Sequence, residues 1–198
     1  MKNRPADTAT RRRGDKTPSR LSKSPRRSVP LITLLTDFGT ADYFAAAVKG
    51  VIFGLNPQAR VVDITHEIPS HDVESAAFTL LAACWSFPTG TIHLAVVDPG
   101  VGSPRRPILI EADGHLFVGP DNGIFSYVCD SLANRGITPE IVHLTNTHYF
   151  RHPVSSTFNG RDVFAPVAAA LSNGVKPCDL GAGFTDMVRL QPLKPCVG

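Results

Sequence analysis

Apolar runs and helical stripes alternate along this chain. Residues Leu31–Leu35 form a continuous apolar run, which predicts a strand covered on both faces. The run ends in Thr36-Asp37-Phe38-Gly39. From Tyr43 to Leu55, the residues Phe44, Val48, Val51, Ile52 and Leu55 recur at helical spacing, and Asn56-Pro57 stops the pattern. Arg60–Thr65 predicts a second strand, followed by His66-Glu67-Ile68-Pro69. Between Asp72 and Phe87, one apolar face collects Val73, Ala76, Ala77, Leu80, Leu81 and Cys84. Asp72 stands where a carboxylate can accept the unpaired N–H groups of a first helical turn. Pro88-Thr89-Gly90 closes that helix.

Ile92–Val97 predicts a third strand, running into a glycine-rich turn with Asp98 at its mouth and Arg105 behind. Pro107–Glu111 and His115–Val118 flank Asp113-Gly114 and predict a hairpin. A short helix over Ile124–Leu132, a strand over Ile141–Leu144 and, after Asp162, a helix through about Leu171 with Phe164, Ala165, Ala168 and Leu171 as its face follow. From Val175 onward Pro and Gly punctuate the chain and the pattern fades into a linker. This order predicts an α/β domain, a mostly parallel sheet sandwiched by helices, with an antiparallel part at the hairpin. We place the domain at residues 30–190 and the start of a truncated linker at 191–198.

Charge divides the chain in two. Residues 1–29 carry a balance of +8, so the net +3 of the whole leaves the remainder at −5. This basic stretch has little to bury, which predicts a disordered tail. It fits a solvated tail, an organelle transit segment or a nucleic-acid-binding arm. Nucleic acid is otherwise an unexpected partner. The apolar run after Arg26-Arg27 stops too early for a twin-arginine signal. No apolar run reaches the ~18 residues of a membrane span, so no membrane partner is expected. The four cysteines, Cys84, Cys129, Cys178 and Cys196, form no CxxC pair. An intracellular, cytoplasmic protein with Cys84 in its core is the plain reading.

In open α/β sheets, ligands bind beyond the carboxyl ends of the strands. Four such ends carry polar groups here: Asp37, His66, Asp98 and Asp121-Asn122. Each alone is an ordinary turn former or cap; together they predict a shared site. His66 and His71 fall in a strand-end loop within reach of a ligand, whereas His93 and His143 lie inside strands and read as structural. Neither HExxH, Walker A, GxGxxG nor GxSxG occurs, so no metal, phosphate-cradling loop or serine nucleophile is predicted.

Taken together, TDFG (36–39), DITHEIPSHDVESAAF (63–78), VVDPGVGSPRR (96–106), VGPDNG (118–123) and STFNGRDVFAP (156–166) resemble the S-adenosylmethionine hydroxide adenosyltransferase family. These are S-adenosylmethionine hydrolases related to the fluorinase and chlorinase. The resemblance covers about residues 31–190. It implies hydrolysis of S-adenosylmethionine to adenosine and methionine, by water or hydroxide attack at ribose C5′. No cofactor is implied, because S-adenosylmethionine is itself the substrate. The implied catalytic set is Asp98, Arg105 and Asn159. The candidate substrate-binding set is Asp37, which matches the family aspartate on the ribose hydroxyls, with His71, Asn122 and Phe158. In the halogenases a Tyr stands at the position of Asp98 and a Thr at that of Val101. An anionic Asp98 repels halide, so water is the expected nucleophile.

Two departures bear on the expectation. The family motif reads TFHGRD where this chain reads TFNGRD, and Asn159 can hold a water but cannot accept a proton near neutral pH. The family also continues into a C-terminal β-barrel that completes the pocket, usually across a homotrimer. The chain is expected to stop before that barrel. The alternative is therefore a catalytically impaired homologue that binds nucleosides or acts as an interaction protein.

Overall fold

The computed structural model describes Met1 and residues 31–191. The basic stretch assigned as a disordered tail lies, Met1 apart, outside the described residues, as does residues 192–198 of the expected linker. Seven strands form one sheet: β1 (Leu31–Thr36), β2 (Arg60–Thr65), β3 (Ile92–Val96), β4 (Pro107–Ala112), β5 (His115–Pro120), β6 (Glu140–Leu144) and β7 (Gly181–Gly183). Their spatial order is β2-β1-β3-β5-β4-β6-β7. The pairs β1–β2, β1–β3 and β3–β5 are parallel, whereas β4 pairs antiparallel with β5 and β6, and β7 with β6. Five strands thus run one way and only β4 and β7 run back, which is the α/β architecture expected.

Alternation along the strands builds two cores. Ile32, Leu34, Leu94, Leu109 and Val118 face α1 (Phe44–Leu55) and α4 (Ala165–Ser172). Leu35, Ala95, Ile108, Ile110 and Phe117 face α2 (Val73–Cys84) and α3 (Ser126–Asn134). Because strand side chains alternate with period two, Leu94 and Ala95 feed opposite layers. Cys84 is fully buried, as its pattern predicts, and burial pushes its thiol up to about 12. Asp72 caps α2, its Oδ1 accepting the Ser75 N–H at 2.9 Å. His93 is buried in β3, where it meets Thr33 Oγ1 at 2.8 Å and His115 at 3.2 Å.

The structure corrects the sequence reading at the C-terminal side. The Pro/Gly-rich stretch after Val175 is not linker up to Gln191. It forms α5 (Pro177–Leu180) and then β7, which extends the sheet beyond β6. Residues beyond β7 fold back onto the domain: Val188 N–H donates to Asp121 Oδ1 at 2.8 Å, and Leu190 N–H to Ser126 Oγ at 2.8 Å. The helix expected after Asp162 begins earlier, as a π-helical turn over Gly160–Phe164 that runs into α4.

Candidate active site

Three chain segments meet at the carboxyl end of β1 and β3. The first is the turn after β1. Asp37 leaves the strand into it, and its Oδ2 accepts the His71 N–H at 2.9 Å. His71 takes a left-handed backbone (φ 65°), an uncommon conformation for a residue with a Cβ, immediately before the Asp72 cap of α2.

The second segment is the turn after β3. Val101 N–H returns to the Asp98 carbonyl at 3.2 Å, and Ser103 bonds the Gly100 carbonyl through N–H at 3.0 Å and Oγ at 2.6 Å. This compact turn brings Arg105 back over Asp98. Arg105 Nε lies 2.8 Å from Asp98 Oδ2 and 3.0 Å from Oδ1, and an η-nitrogen closes on Oδ2, giving a forked ion pair. Both side chains are largely buried, at 6% exposure for Asp98 and 11% for Arg105. Behind the pair, the guanidinium lies 5.2 Å from the Phe164 ring centre.

The third segment, Ser155–Gly160, forms the opposite wall. It is organised by Asp162, which is wholly buried and takes Arg161 at 2.7 and 2.8 Å, Arg151 at 3.1 Å and the Ser155 N–H at 2.9 Å. Burial alone raises a carboxyl pKa, but these bonds, Arg161 foremost, hold Asp162 down at about 2. Two glycines let the walls close. A Cβ on Gly102 (φ 79°) would stand 2.7 Å from the Ser156 carbonyl oxygen, and one on Gly160 3.1 Å from the Phe38 ring.

The result is a cavity of about 410 Å³, lined by Asp37, His71, Asp98, Val101, Phe158 and Asn159, among others. Phe38 and Phe44, which also line it, pack edge-on against Phe158 at 5.9 and 5.2 Å. Asn159 Oδ1 is buried and meets no donor among the described residues. Two carboxylates, an amide with a free acceptor and an aromatic wall can hold a polar molecule with an apolar body and order a water beside it.

Of the residues predicted from sequence, Asp37, His71, Asp98, Phe158 and Asn159 meet at this cavity, and Arg105 backs it. Asn122 does not line it. Its Nδ2 donates to the Val97 carbonyl at 2.8 Å and its Oδ1 accepts the Ile124 N–H at 3.2 Å, so both ends of the amide are engaged by backbone. His66 does not reach the cavity either: it is buried at 4% exposure and bonded to Thr36. Asp121, the fourth polar strand end, pairs with Arg106 instead. Sequence reasoning missed Phe38, Phe44, Ser70 and Thr157 as lining residues. Phe38 and Thr157 lie within motifs already singled out, so adjacency was a usable signal there; Phe44 read only as one of a helix's apolar positions.

Comparison with known proteins identifies the family. The profile of the SAM hydroxide adenosyltransferase N-terminal domain matches residues 32–181. An (R)-S-adenosyl-L-methionine hydrolase of Salinispora tropica is 47% identical over 163 residues, covering 81% of this chain and 61% of the relative. A fluorinase of Actinoplanes sp. is 24% identical over 196 residues, covering 86% of this chain and 64% of that protein. The crystal structure of an uncharacterized conserved protein from Thermotoga maritima superposes with a TM-score of 0.77 at 37% identity, over 82% of this chain and 62% of that one. The chain therefore belongs to the S-adenosylmethionine hydroxide adenosyltransferase family, and the matched part is its N-terminal domain. It spans about three fifths of the length of the curated relatives it matches, as the 61% for Salinispora tropica illustrates.

Proposed function

We propose that this chain carries the water-activating half of an S-adenosylmethionine hydrolase. The supporting observation is the Asp98–Arg105 ion pair at the end of β3, with Asp98 opening onto the same cavity as Asp37. Asp37 grips the ribose hydroxyls, for which a carboxylate is a strong acceptor. Asp98 orients a water behind C5′, and Arg105 fixes the carboxylate in place. The water oxygen forms the new bond to C5′ as the C5′–S bond breaks. Its electron pair passes to sulfur, so the sulfonium leaves as the neutral thioether of methionine, and the water proton passes to Asp98 or to solvent. The leaving group needs no acid and the reaction no cofactor. The protein's task is alignment and exclusion of bulk water. Val101 and Asp98 both face the cavity, an apolar and an anionic surface that disfavour a halide there. With a C-terminal β-barrel like that of the family, the site would be completed across a homotrimer.

A second reading rests on Asn159. An amide accepts no proton near neutral pH, so the site also suits a protein that holds a nucleoside without turning it over. One experiment separates the two. The chain is mixed with S-adenosylmethionine and adenosine is followed by chromatography, with Asp98→Ala and Asn159→His in parallel. Hydrolysis predicts adenosine from the wild type, more from Asn159→His and none above background from Asp98→Ala. Silence from both wild type and Asn159→His, with measurable binding, leaves only the nucleoside-binding reading.

A further inference from the structure

The turn that carries Asp37 is held by a buried polar relay that starts at the protein surface. Lys49 Nζ donates to Asp63 Oδ2 at 2.6 Å, and Asp63 Oδ1 lies 3.1 Å from His66 Nε2. His66 Nδ1 lies 2.8 Å from Thr36 Oγ1, and that same oxygen accepts the Phe38 N–H at 3.2 Å. The direction of each proton follows from the ends. Phe38 N–H takes one lone pair of the Thr36 oxygen, and among the described residues Nδ1 is the acceptor within reach of the hydroxyl proton, so the Thr36 hydroxyl is assigned as donor to Nδ1. An imidazole that accepts at Nδ1 carries its proton on Nε2, the nitrogen 3.1 Å from Asp63 Oδ1. Thr36 and His66 are 1% and 4% exposed, so the interior of the relay is shielded from water.

The backbone doubles the connection. Gly39 N–H donates to the His66 carbonyl at 2.7 Å and Ile68 N–H to the Thr36 carbonyl at 3.4 Å. Asp37 sits between these ties, and its Oδ2 takes the His71 N–H from the same loop. The Thr36 hydroxyl and these backbone bonds tie the two turns together, and a displacement of about 1 Å at a binding carboxylate is costly.

We propose that His66 is a positioning residue: through the Thr36 hydroxyl it locks the Asp37–Gly39 turn and aims the Asp37 carboxylate at the hydroxyls of a ribose. This rests on the nucleoside reading of the cavity, which it deepens by naming what sets the ribose contact. Neither His66 nor Thr36 touches the ligand, and the two strand-end turns after β1 and β2 act as one unit.

The test uses the full chain with Thr36→Val, which keeps shape and removes the hydroxyl, and Thr36→Ser, which restores it. Nitrogen NMR of the imidazole is expected to show His66 protonated on Nε2. Amide exchange at Phe38, Gly39 and His71 is expected to quicken about tenfold or more in Thr36→Val and to recover in Thr36→Ser, as loss of one buried hydrogen bond implies. Calorimetry then compares adenosine with 2′,3′-dideoxyadenosine. Wild type and Thr36→Ser should prefer adenosine by about tenfold or more, the scale of a hydrogen bond to a charged group, and Thr36→Val should lose most of that preference. A purely structural role would weaken both nucleosides equally and leave the ratio unchanged, which would overturn the proposal. So would an Nδ1-protonated His66 or unchanged exchange at His71. If the wild type binds neither nucleoside, the nucleoside reading fails, and the tautomer and exchange arms still decide whether the relay holds Asp37.

Discussion

Arg105 and Arg106 are adjacent in sequence, and each pairs with an aspartate at the end of a parallel strand. Arg105 meets Asp98 after β3, and Arg106 meets Asp121 at the end of β5, with Nε 2.9 Å from Oδ2. Beyond Asp98 lies the cavity. Beyond Asp121 lies the returning C-terminal segment: Val188 N–H bonds its other oxygen, and Arg106 also holds Asp186 Oδ1 at 2.8 Å and the Asp186 carbonyl at 2.7 Å. Both carboxylates are hidden from solvent, at 6% and 1% side-chain exposure. Burial and a guanidinium therefore do not mark a site. What marks it is a carboxylate whose remaining face opens on a cavity rather than on the chain's own backbone.

The largest expected effect breaks that comparison at the proposed active site. Asp98→Asn should lower adenosine formation by about 10²- to 10⁴-fold, the range for loss of a positioned base. Asp121→Asn should keep the wild-type rate per folded molecule. The check is adenosine by chromatography, normalised to the folded fraction by circular dichroism. Equal losses in the two variants would mean that the cavity face of Asp98 has no special role.

The converse effect is in stability. Asp121→Ala removes the partner of Val188 N–H and one partner of Arg106, and should cost about 2–3 kcal/mol in urea unfolding. It should also release residues 184–190 to limited proteolysis, because those residues are pinned through Asp121 and Ser126. Asp98→Ala should leave the same peptide bonds protected.

This pairing also shows what a single sequence conveys. The strands, the helix faces, the Asp72 cap and the Asp98–Arg105 turn were legible because each follows from local periodicity or spacing. The β7 strand was not: Gly181-Ala182-Gly183 has no alternating side chains, and its place is set by hydrogen bonds to β6. Four polar strand ends looked equivalent in sequence, yet only Asp37 and Asp98 face the cavity. His66 turns inward to Thr36, and Asp121 turns to a segment 67 residues away in the chain. Which way a strand-end side chain faces depends on distant partners, and a linear pattern does not carry that.

A third aspartate sharpens the comparison by pH. Asp162 holds the wall opposite Asp98, and Arg161, the Ser155 N–H and Arg151 offset its burial to bring it from 3.8 to about 2. A depressed carboxyl contributes stability that is full above the unfolded value and is lost as pH falls through the folded one. The wild type should therefore lose about 2 kcal/mol between pH ~5 and pH ~2 that Asp162→Asn does not lose. Unfolding free energies from urea titrations across that range test the sign and the size.

The smallest effect asks whether the two arginines use their aromatic neighbours alike. The Arg106 guanidinium lies 4.2 Å from the Phe184 ring centre, and Arg105 lies 5.2 Å from that of Phe164. Phe184 is half-buried after β7, so replacing it by Leu removes the ring's charge attraction while keeping an apolar side chain. The expected cost is about 0.5–1 kcal/mol, and it should largely vanish when Arg106 is already Ala. Phe164 is wholly buried, and Phe164→Leu should cost more, but by packing. That cost should persist in an Arg105→Ala background. A double-mutant cycle at each pair reads the difference. Strong coupling at Phe184 and weak coupling at Phe164 would mean that Arg106 is held by the segment it pins, while Arg105 is held by Asp98.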